Sequence, residues 1–185
     1  VLARNAGMKV FILGSGSNLL VGDSGIDGVV VRLSAKEFKG IYNKGACLTA
    51  GSGLKLNQLI LFAQKKGLSG LEFLAGIPGT LGGALAGNAG AWGSSIGELV
   101  KQVYVLDYSG RPKLINCEEL KFSYRRSNLD KYIIISAVLE FKNKNQDVEY
   151  NINPSLIAGV KILINDEKQL DGSLNNKLRK IFIEV

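Results

Sequence analysis

Short apolar runs separated by glycine-rich segments dominate the first part of the chain. Residues 9–13 (Lys-Val-Phe-Ile-Leu) end at Gly14, and residues 29–33 (Val-Val-Val-Arg-Leu) follow a glycine-rich stretch. Runs of β-branched and apolar residues bounded by glycine are typical of β-strands. The pattern therefore predicts two strands joined by a glycine-rich connection, and a third strand over residues 47–50.

A helical spacing of apolar positions follows. Leu56, Leu59, Ile60 and Ala63 recur at the interval that places them on one face of an α-helix. We expect an amphipathic helix over residues 54–66. Ser52, which precedes the helix, is the predicted cap, and Gly67 is suited to its end.

The later segments change to a strand pattern. Residues 103–107 and 113–115 flank Ser-Gly and predict a hairpin, and residues 118–121 begin a short helix. The long β-branched run over residues 132–141 predicts a strand that is among the most buried. These elements together predict an α+β fold.

Glycine is distributed unevenly, because 21 of the 23 glycines precede residue 111. From about Asn145 the chain is rich in Asn and Lys, with a predicted strand over residues 160–164 and a charged helix over residues 174–182. The break in composition predicts two regions, residues 1–143 and a separate β/α tail over residues 144–185. A chain of 185 residues can hold one domain with such an addition.

The charge balance argues against nucleic acid as a partner. The chain has 23 Lys and Arg against 16 Asp and Glu, a net charge of +7, but the excess is spread thinly and forms no basic run interleaved with aromatics. A diffuse charge of this kind is typical of a solvated surface. An anionic small ligand remains compatible with it.

The absence of histidine excludes several chemistries. It removes a Ser-His-Asp triad, a histidine metal site and a histidyl-linked cofactor. Cys47 and Cys117 lack the spacing of a thiolate site, so we expect no metal and two reduced cysteines. No apolar run reaches the roughly 20 residues of a membrane span, so we expect no membrane insertion. The start lacks both an initiator Met and a signal-peptide layout. We therefore expect a cytoplasmic location and a start cut from something longer.

The first glycine loop follows a predicted strand and consists of Gly14, Ser15, Gly16, Ser17, Asn18 and Leu19. It differs from the dinucleotide fingerprint, because Leu19 replaces the third glycine and Ser34 stands where an acid would bind ribose. Two interpretations remain. The backbone N–H groups and the polar side chains can form a nest for a pyrophosphate, or the loop is an ordinary Gly-Ser turn, which the spacing alone favours.

A second glycine segment over residues 76–93 combines glycine and alanine with recurring apolar residues, unlike a flexible linker. Small residues at this density let the backbone approach a flat ligand closely. Thr80 can donate a hydroxyl to phosphate, and Asn88 can hydrogen-bond the edge of a heterocycle. Tight packing of a helix on a sheet explains some of these glycines equally well.

Four ordered motifs carry a family resemblance, at residues 14–21, 70–83, 88–93 and 122–127 (Phe-Ser-Tyr-Arg-Arg-Ser). Together they resemble the UDP-N-acetylenolpyruvoylglucosamine reductases, also called UDP-N-acetylmuramate dehydrogenases, over residues 1–143. The resemblance implies non-covalent FAD in a fold of the p-cresol methylhydroxylase type. The cofactor-binding residues that it implies are Gly14, Ser15, Gly16, Ser17, Asn18, Leu19, Gly76, Ile77, Pro78, Gly79, Thr80, Gly82, Gly83, Asn88, Gly90 and Ala91.

The resemblance also implies a reaction, in which NADPH reduces FAD and hydride then passes to the double bond of a UDP-sugar enolpyruvyl substrate in peptidoglycan precursor synthesis. Arg125 takes the position of the family's active-site arginine. Tyr124 and Trp92, together with Arg125, take substrate-binding positions, although the family more often has Tyr at the position of Trp92. A permanent cation suits the substrate carboxylate and the developing enolate charge.

The resemblance ends after about Phe141. In the family a further domain supplies the proton donor and a catalytic Glu, so we expect an incomplete fold and an isolated chain without activity. Residues 153–162 and 171–178 instead resemble the C-terminal end of the ATP synthase delta subunit, and a generic hairpin with a helix is the simpler alternative. The alternative functions are a non-enzymatic flavin-binding or adaptor protein that docks to ATP synthase through this tail, and another flavin oxidase of the same fold.

Overall fold

The computed structural model describes residues 2–143, 161–164 and 168–171. In chain order the strands are β1 (Val10–Leu13), β2 (Val29–Arg32), β3 (Ile41–Lys44), β4 (Cys47–Gly51), β5 (Leu68–Ser69), β6 (Gly90–Ala91), β7 (Ser94–Ser95), β8 (Val100–Leu106), β9 (Pro112–Asn116), β10 (Phe122–Ser123), β11 (Arg126–Ser127), β12 (Ile133–Glu140), β13 (Lys142–Asn143), β14 (Lys161–Ile164) and β15 (Lys168–Asp171). The α-helices are α1 (Leu2–Asn5), α2 (Leu56–Lys65) and α3 (Leu81–Ala86). Short 3-10 turns cover Lys36–Lys39, Glu72–Leu74, Ile96–Leu99 and Cys117–Glu119.

A five-stranded antiparallel sheet in the order β3-β4-β12-β8-β9 forms the centre of the fold. Strand β12 is its middle strand, and Val138 pairs with Thr49 on one side and with Gln102 on the other. The prediction of a well-buried strand at residues 132–141 is confirmed. Strand β3 was not predicted, because its sequence Ile-Tyr-Asn-Lys is mostly polar and the strand lies at the sheet edge with three exposed residues.

One hydrophobic core joins the sheet to the helices. Leu48 of β4, Leu59 of α2, Leu85 of α3 and Val103 of β8 are all completely buried in it. Each side chain of this size contributes about 1.5–3 kcal/mol when it is fully buried. The helical spacing of residues 54–66 is therefore confirmed as the buried face of α2, whose buried residues are Leu56, Leu59 and Ala63.

The predicted cap of α2 is wrong. The N-cap is Lys55, and no side chain caps the helix. The N–H of Leu56 instead donates to the carbonyl oxygen of Gly79 at 3.1 Å, so backbone from the second glycine segment satisfies one of the donors at the helix start. The C-terminal end is as predicted, since Gly67 has a φ of +66° and follows the last turn.

The hairpin predicted around Ser-Gly is confirmed and is longer than its sequence pattern, comprising β8 and β9. Its turn has Gly110 at a φ of +84°, and the carboxylate of Asp107 accepts the backbone N–H groups of Ser109 and Arg111. The helix expected from residue 118 is a 3-10 turn that starts at Cys117.

Strands β1 and β2 form a separate parallel pair beside the main sheet. Backbone from this region and the segment after it lies directly against β4, because a Cβ atom at Gly51 would strike the carbonyl of Phe38 and one at Gly53 would strike the carbonyl of Leu33. These two glycines allow the close approach of the segment that follows β2 to the end of β4.

In the tail, β14 and β15 form an antiparallel hairpin, which confirms the strand predicted at residues 160–164. The helix predicted at residues 174–182 lies outside the described residues. None of the helices in the described part of the chain has the length and hydrophobicity needed to cross a membrane.

Candidate cofactor site

A cavity of about 1100 Å³ is lined by residues of the β1–β2 pair, of the loop between these strands and of the main sheet. Residues of β1, of the loop after it and of β2 line one part, and β12 contributes Ile134 to another. Ligand and cofactor sites typically measure about 300–1000 Å³, so the space suits a ligand at the large end of that range.

The two glycine segments meet at this cavity, although they are separated by about sixty residues in sequence. The hydroxyl of Ser17 donates to the carbonyl oxygen of Pro78 at 2.8 Å. A Cβ atom on Gly14 would lie only 2.6 Å from Oγ1 of Thr80, closer than two such atoms can pack. Glycine at position 14 is therefore required for the contact between the segments.

Of the sixteen predicted cofactor-binding residues, six line the cavity and ten do not. The lining residues are Gly14, Ser15, Leu19, Thr80, Gly82 and Gly83. The remaining residues of the two segments are not part of the lining, and these are Gly16, Ser17, Asn18, Gly76, Ile77, Pro78, Gly79, Asn88, Gly90 and Ala91. Contact of these ten with a cofactor remains a prediction.

Thr80 stands between the glycine segments as the N-cap of α3. Its side chain is 8% exposed, and Oγ1 accepts the N–H of Gly83 in a long hydrogen bond of 3.4 Å. Gly82, in the first turn, donates its N–H to the carbonyl oxygen of Ser52 at 2.8 Å. A Cβ atom at Gly82 would lie 2.9 Å from that of Ser52, so glycine lets α3 pack tightly on the end of β4.

Ser52 is a cavity residue that sequence reasoning missed as a site. It follows β4, lines the cavity and is 3% exposed, and in the described part of the chain its Oγ has no hydrogen-bond partner. The backbone of Ser52 is satisfied, because its N–H donates to the carbonyl oxygen of Ile135 at 2.9 Å. No sequence signal indicates this position in the cavity wall, since a serine ahead of a helix resembles a cap.

The Asn88 amide makes contacts within the protein. Its nitrogen donates to the carbonyl oxygen of Ser123 at 3.0 Å, and its oxygen accepts the N–H of Gly97 at 3.1 Å. The residue has a φ of 44°, in the left-handed region that asparagine tolerates better than most residues. Asn88 therefore connects the β10–β11 hairpin to the turn after β7, and its predicted contact with a heterocycle stays a prediction.

Arg125 lies at the tip of a two-residue hairpin, Tyr124-Arg125, between β10 and β11. Its φ is 58°, and both tip residues are exposed, Tyr124 to 90%. The hydroxyl of Ser127 donates to the carbonyl oxygen of Ala86 at 2.9 Å, and Ala86 lines the cavity. The hairpin is thus attached to the cavity edge, while Arg125 itself is not part of the lining.

Trp92 occupies a similar position in the β6–β7 hairpin. It is 74% exposed and has a φ of 58°, followed by Gly93 at 84°. Two successive positive φ values are those of a type I′ turn, which matches the twist of a two-residue hairpin. The structure thus places Trp92 and Arg125 on separate hairpin tips outside the cavity.

The charges that line the cavity are mainly positive. Among the described residues, the lining includes the basic residues Arg32, Lys39 and Lys55 and one acidic residue, Asp130. The shifted pKa values belong to surface pairs elsewhere: a 2.8 Å hydrogen bond from Lys101 lowers the pKa of Glu140 and raises that of Lys101. No group of His, Cys, Asp or Glu side chains in the described residues could hold a metal ion. A large cavity with basic residues and glycine backbone fits an anionic cofactor.

Comparison with known proteins agrees with this geometry. Residues 1–115 match the FAD binding domain family. The chain belongs to this family. The matched range contains both glycine segments and Ser52. A second range, residues 130–183, matches the ATP synthase delta (OSCP) subunit family. The predicted resemblance of the tail to the ATP synthase delta subunit is thereby confirmed as a similarity in sequence.

Relatives of this FAD binding domain confirm the other resemblance. The chain is 44% identical over 139 residues to UDP-N-acetylenolpyruvoylglucosamine reductase of Moorella thermoacetica, with 75% of this chain and 45% of the relative covered. Identity to the enzyme of Anoxybacillus flavithermus is 46% over 138 residues, with 73% and 45% covered. The chain thus spans about half the length of the curated relatives it matches.

Solved structures show the same fold. The reductase from Thermus caldophilus superposes with a TM-score of 0.66 at 37% identity, covering 77% of this chain and 52% of that one. A solvent-stable cholesterol oxidase has a TM-score of 0.60 at 22% identity, covering 81% of this chain and 34% of the oxidase, and this shows the fold alone. The predicted α+β fold of the p-cresol methylhydroxylase type is confirmed.

Proposed function

We propose that this chain is the FAD-holding part of an oxidoreductase that uses NADPH to reduce a UDP-sugar enolpyruvyl substrate. The observation that carries the proposal is the meeting of the two glycine segments at one large cavity, within the range that matches the FAD binding domain family. The names of the similar reductases supply the substrate class. Peptidoglycan synthesis in the cytoplasm is the setting that this substrate implies.

The lining residues would hold the cofactor through backbone and hydroxyl groups. The N–H groups of the loop after β1 suit a pyrophosphate, since several successive amides can surround an anion. Arg32, Lys39 and Lys55 add positive charge to the same cavity. Bound FAD would supply hydride transfer, which no side chain can provide. The protein's own part is to bind the cofactor and to exclude water around it.

The substrate end of the proposal rests on the two hairpin tips. The guanidinium of an arginine carries a positive charge and a planar fork of donors, which suits a carboxylate, and Arg125 supplies this group on the β10–β11 tip. Tyr124, next to Arg125 in the chain, and Trp92, on the other hairpin tip, offer exposed rings that can cover a sugar or a base. Anchoring of the β10–β11 hairpin to Ala86 keeps Arg125 near the cavity edge. These three assignments follow the resemblance of the motifs.

Docking to ATP synthase is not proposed. Its support is the match of residues 130–183 to the delta subunit family, and that range includes β12, the middle strand of the main sheet. The resemblance therefore overlaps an element that belongs to the fold of the FAD binding domain. A different flavin oxidase is also not proposed, because the cholesterol oxidase likeness at 22% identity concerns the fold.

Titration of the chain with FAD and with riboflavin tests the proposal. We expect saturable quenching of flavin fluorescence at one FAD per chain, and far weaker binding of riboflavin because it lacks the pyrophosphate. Equal affinity for both flavins would exclude the pyrophosphate role of the loop after β1. No saturable FAD binding would contradict the proposed function altogether.

A further inference from the structure

Lys55 lies beside the junction of the two glycine segments. It forms an isolated antiparallel bridge with Thr80, flanked by two backbone hydrogen bonds, of 3.1 Å from the N–H of Leu56 and of 2.9 Å from the N–H of Leu81. Residues paired in this way have no hydrogen bond between themselves, and their Cβ atoms lie on one face about 4.5–5.5 Å apart. The Lys55 side chain therefore begins next to that of Thr80.

The same threonine contacts the loop after β1. Oγ1 of Thr80 lies 2.6 Å from the position that a Cβ atom on Gly14 would take. Lys55, Thr80 and Gly14 all line the cavity, and Lys55 is exposed, so a ligand there can contact it. The first glycine loop begins at Gly14, and its N–H groups are the proposed pyrophosphate site. The flexible four-carbon stem of Lys55 lets its ammonium reach an anion held at that loop.

Lysine is an unfavourable residue at this point of the helix. Lys55 is the N-cap of α2 and makes no side-chain cap, whereas Ser, Thr, Asp and Asn are preferred there because they accept backbone N–H groups. A lysine side chain accepts no hydrogen bond, and its charge is repelled by the positive end of the helix dipole. Natural proteins break local rules of this kind mainly where a position has a function.

From this geometry we infer that the Lys55 ammonium forms an ion pair with the pyrophosphate of bound FAD, so that Lys55 is a cofactor-binding residue outside the sequence motifs. The inference rests on the proposed function. Backbone N–H groups bind a pyrophosphate but do not neutralise its negative charge, and a charged donor makes a stronger hydrogen bond to phosphate than a neutral one. The positive charge of Lys55 at the start of α2 is in turn offset by the anion.

Lys55→Gln in the full chain tests the inference, with Lys65→Gln as the matched control. Lys65 is the last residue of α2, is exposed and does not line the cavity, so each variant removes one positive charge from the same helix. We expect Lys55→Gln to raise the dissociation constant for FAD about 5- to 20-fold at low ionic strength, the loss of one charged hydrogen bond. Lys65→Gln should leave this constant nearly unchanged, and Lys55→Arg should keep most of the affinity because it keeps the charge.

Salt dependence and stability without FAD separate an ion pair with the cofactor from a structural role. Because salt screens exposed charges, added KCl should weaken FAD binding more steeply in the wild type than in Lys55→Gln. The thermal midpoint of FAD-free Lys55→Gln should equal or exceed that of the wild type, since the variant removes a charge that the helix start repels.

Three results would overturn the inference while leaving FAD binding intact. These are an unchanged dissociation constant in Lys55→Gln, an equal loss of affinity in Lys65→Gln, and a lower thermal midpoint in FAD-free Lys55→Gln. A wild-type chain that binds no FAD would contradict the proposed function, and this inference with it.

Discussion

Arg125 has a left-handed backbone conformation, which is unfavourable for a residue with a side chain. In the described part of the chain, the non-glycine residues with positive φ are Asn88, Trp92 and Arg125. Such a conformation costs of order 1–3 kcal/mol and concentrates at functional sites. All three residues were assigned to ligand binding from the sequence motifs. At Trp92 and Arg125 the positive φ belongs to a two-residue hairpin turn, and at Asn88 it suits asparagine, so the three ligand-binding assignments stay predictions.

The paired variants Arg125→Gly and Arg126→Gly test this strain. Both arginines are exposed and adjacent, so each variant removes one positive charge. Glycine relieves the strain at position 125, so Arg125→Gly should be neutral or raise the free energy of unfolding by up to about 1 kcal/mol. Arg126 lies in β11, where glycine should lower that free energy by roughly 0.5–1 kcal/mol. Urea denaturation measures both, and equal destabilisation would contradict strain at Arg125.

The sequence motifs contain residues that the structure brings into contact, whereas contacts that depend on long-range geometry have no signal in the sequence. Gly14 and Thr80 were assigned to one ligand, and the structure brings them into contact. The sequence predicts Ser52 as a cap, because a serine two or three residues ahead of a helix has the same pattern whether or not it caps. The cap was replaced by the Gly79 carbonyl, a contact across many residues that no local pattern encodes.

Among the elements, the turn between β8 and β9 depends on one carboxylate. Asp107 accepts the backbone N–H of Arg111, the largest cause of its lowered pKa, and also bonds the Arg111 side chain and the N–H of Ser109. A group whose pKa is lower in the folded state stabilises the fold above its unfolded pKa. That contribution is lost as the pH falls through the folded value.

We therefore expect the turn to weaken in acid, below the ordinary aspartate pKa of about 3.9. Asp107→Asn should reduce the loss of unfolding free energy between about pH 6 and pH 2, because the variant has no proton to bind at this position. Ser109→Ala is the control, since Ser109 contributes its backbone N–H rather than its side chain. Urea midpoints across this range give the slopes, and an acid slope in Asp107→Asn equal to that of the wild type would contradict the prediction.

Elements with a strong pattern were predicted well, and polar or short elements were not. The β-branched run of β12 and the apolar spacing of α2 both report burial on one side, which sequence periodicity encodes. Strand β3 has little apolar content, and its pairing with β4 holds it in the sheet. Its own residues therefore give no pattern from which the strand can be predicted. The two-residue hairpins around Trp92 and Arg125 were not predicted, because neither has the Asn-Gly or Asp-Gly turn residues typical of such loops.

At the scale of the whole molecule, we propose that residues 144–185 form a module separate from the FAD binding domain. Among the described residues, the cavity lining extends no further along the chain than Ile134. Phe141 is 4% exposed in the core, and β13 pairs with β5, so the domain includes residues up to 143.

A chain that ends at Asn143 should bind FAD with the dissociation constant of the full chain. Isothermal titration gives both constants, and circular dichroism checks that the shorter chain folds. A chain that ends at Tyr132 is the contrasting control, because it lacks β12 and should not fold. Failure of the Asn143 chain to fold would show that the tail belongs to the core.

The central claim is that the two glycine segments together hold FAD, and the number of FAD molecules per purified chain tests it most directly. After incubation with excess FAD and removal of the free cofactor, the wild type should retain about one FAD per chain. Gly14→Val should retain almost none while keeping its circular dichroism spectrum, because its Cβ would collide with the Thr80 hydroxyl at the junction of the segments. Equal retention in both proteins, or none in the wild type, would contradict the account.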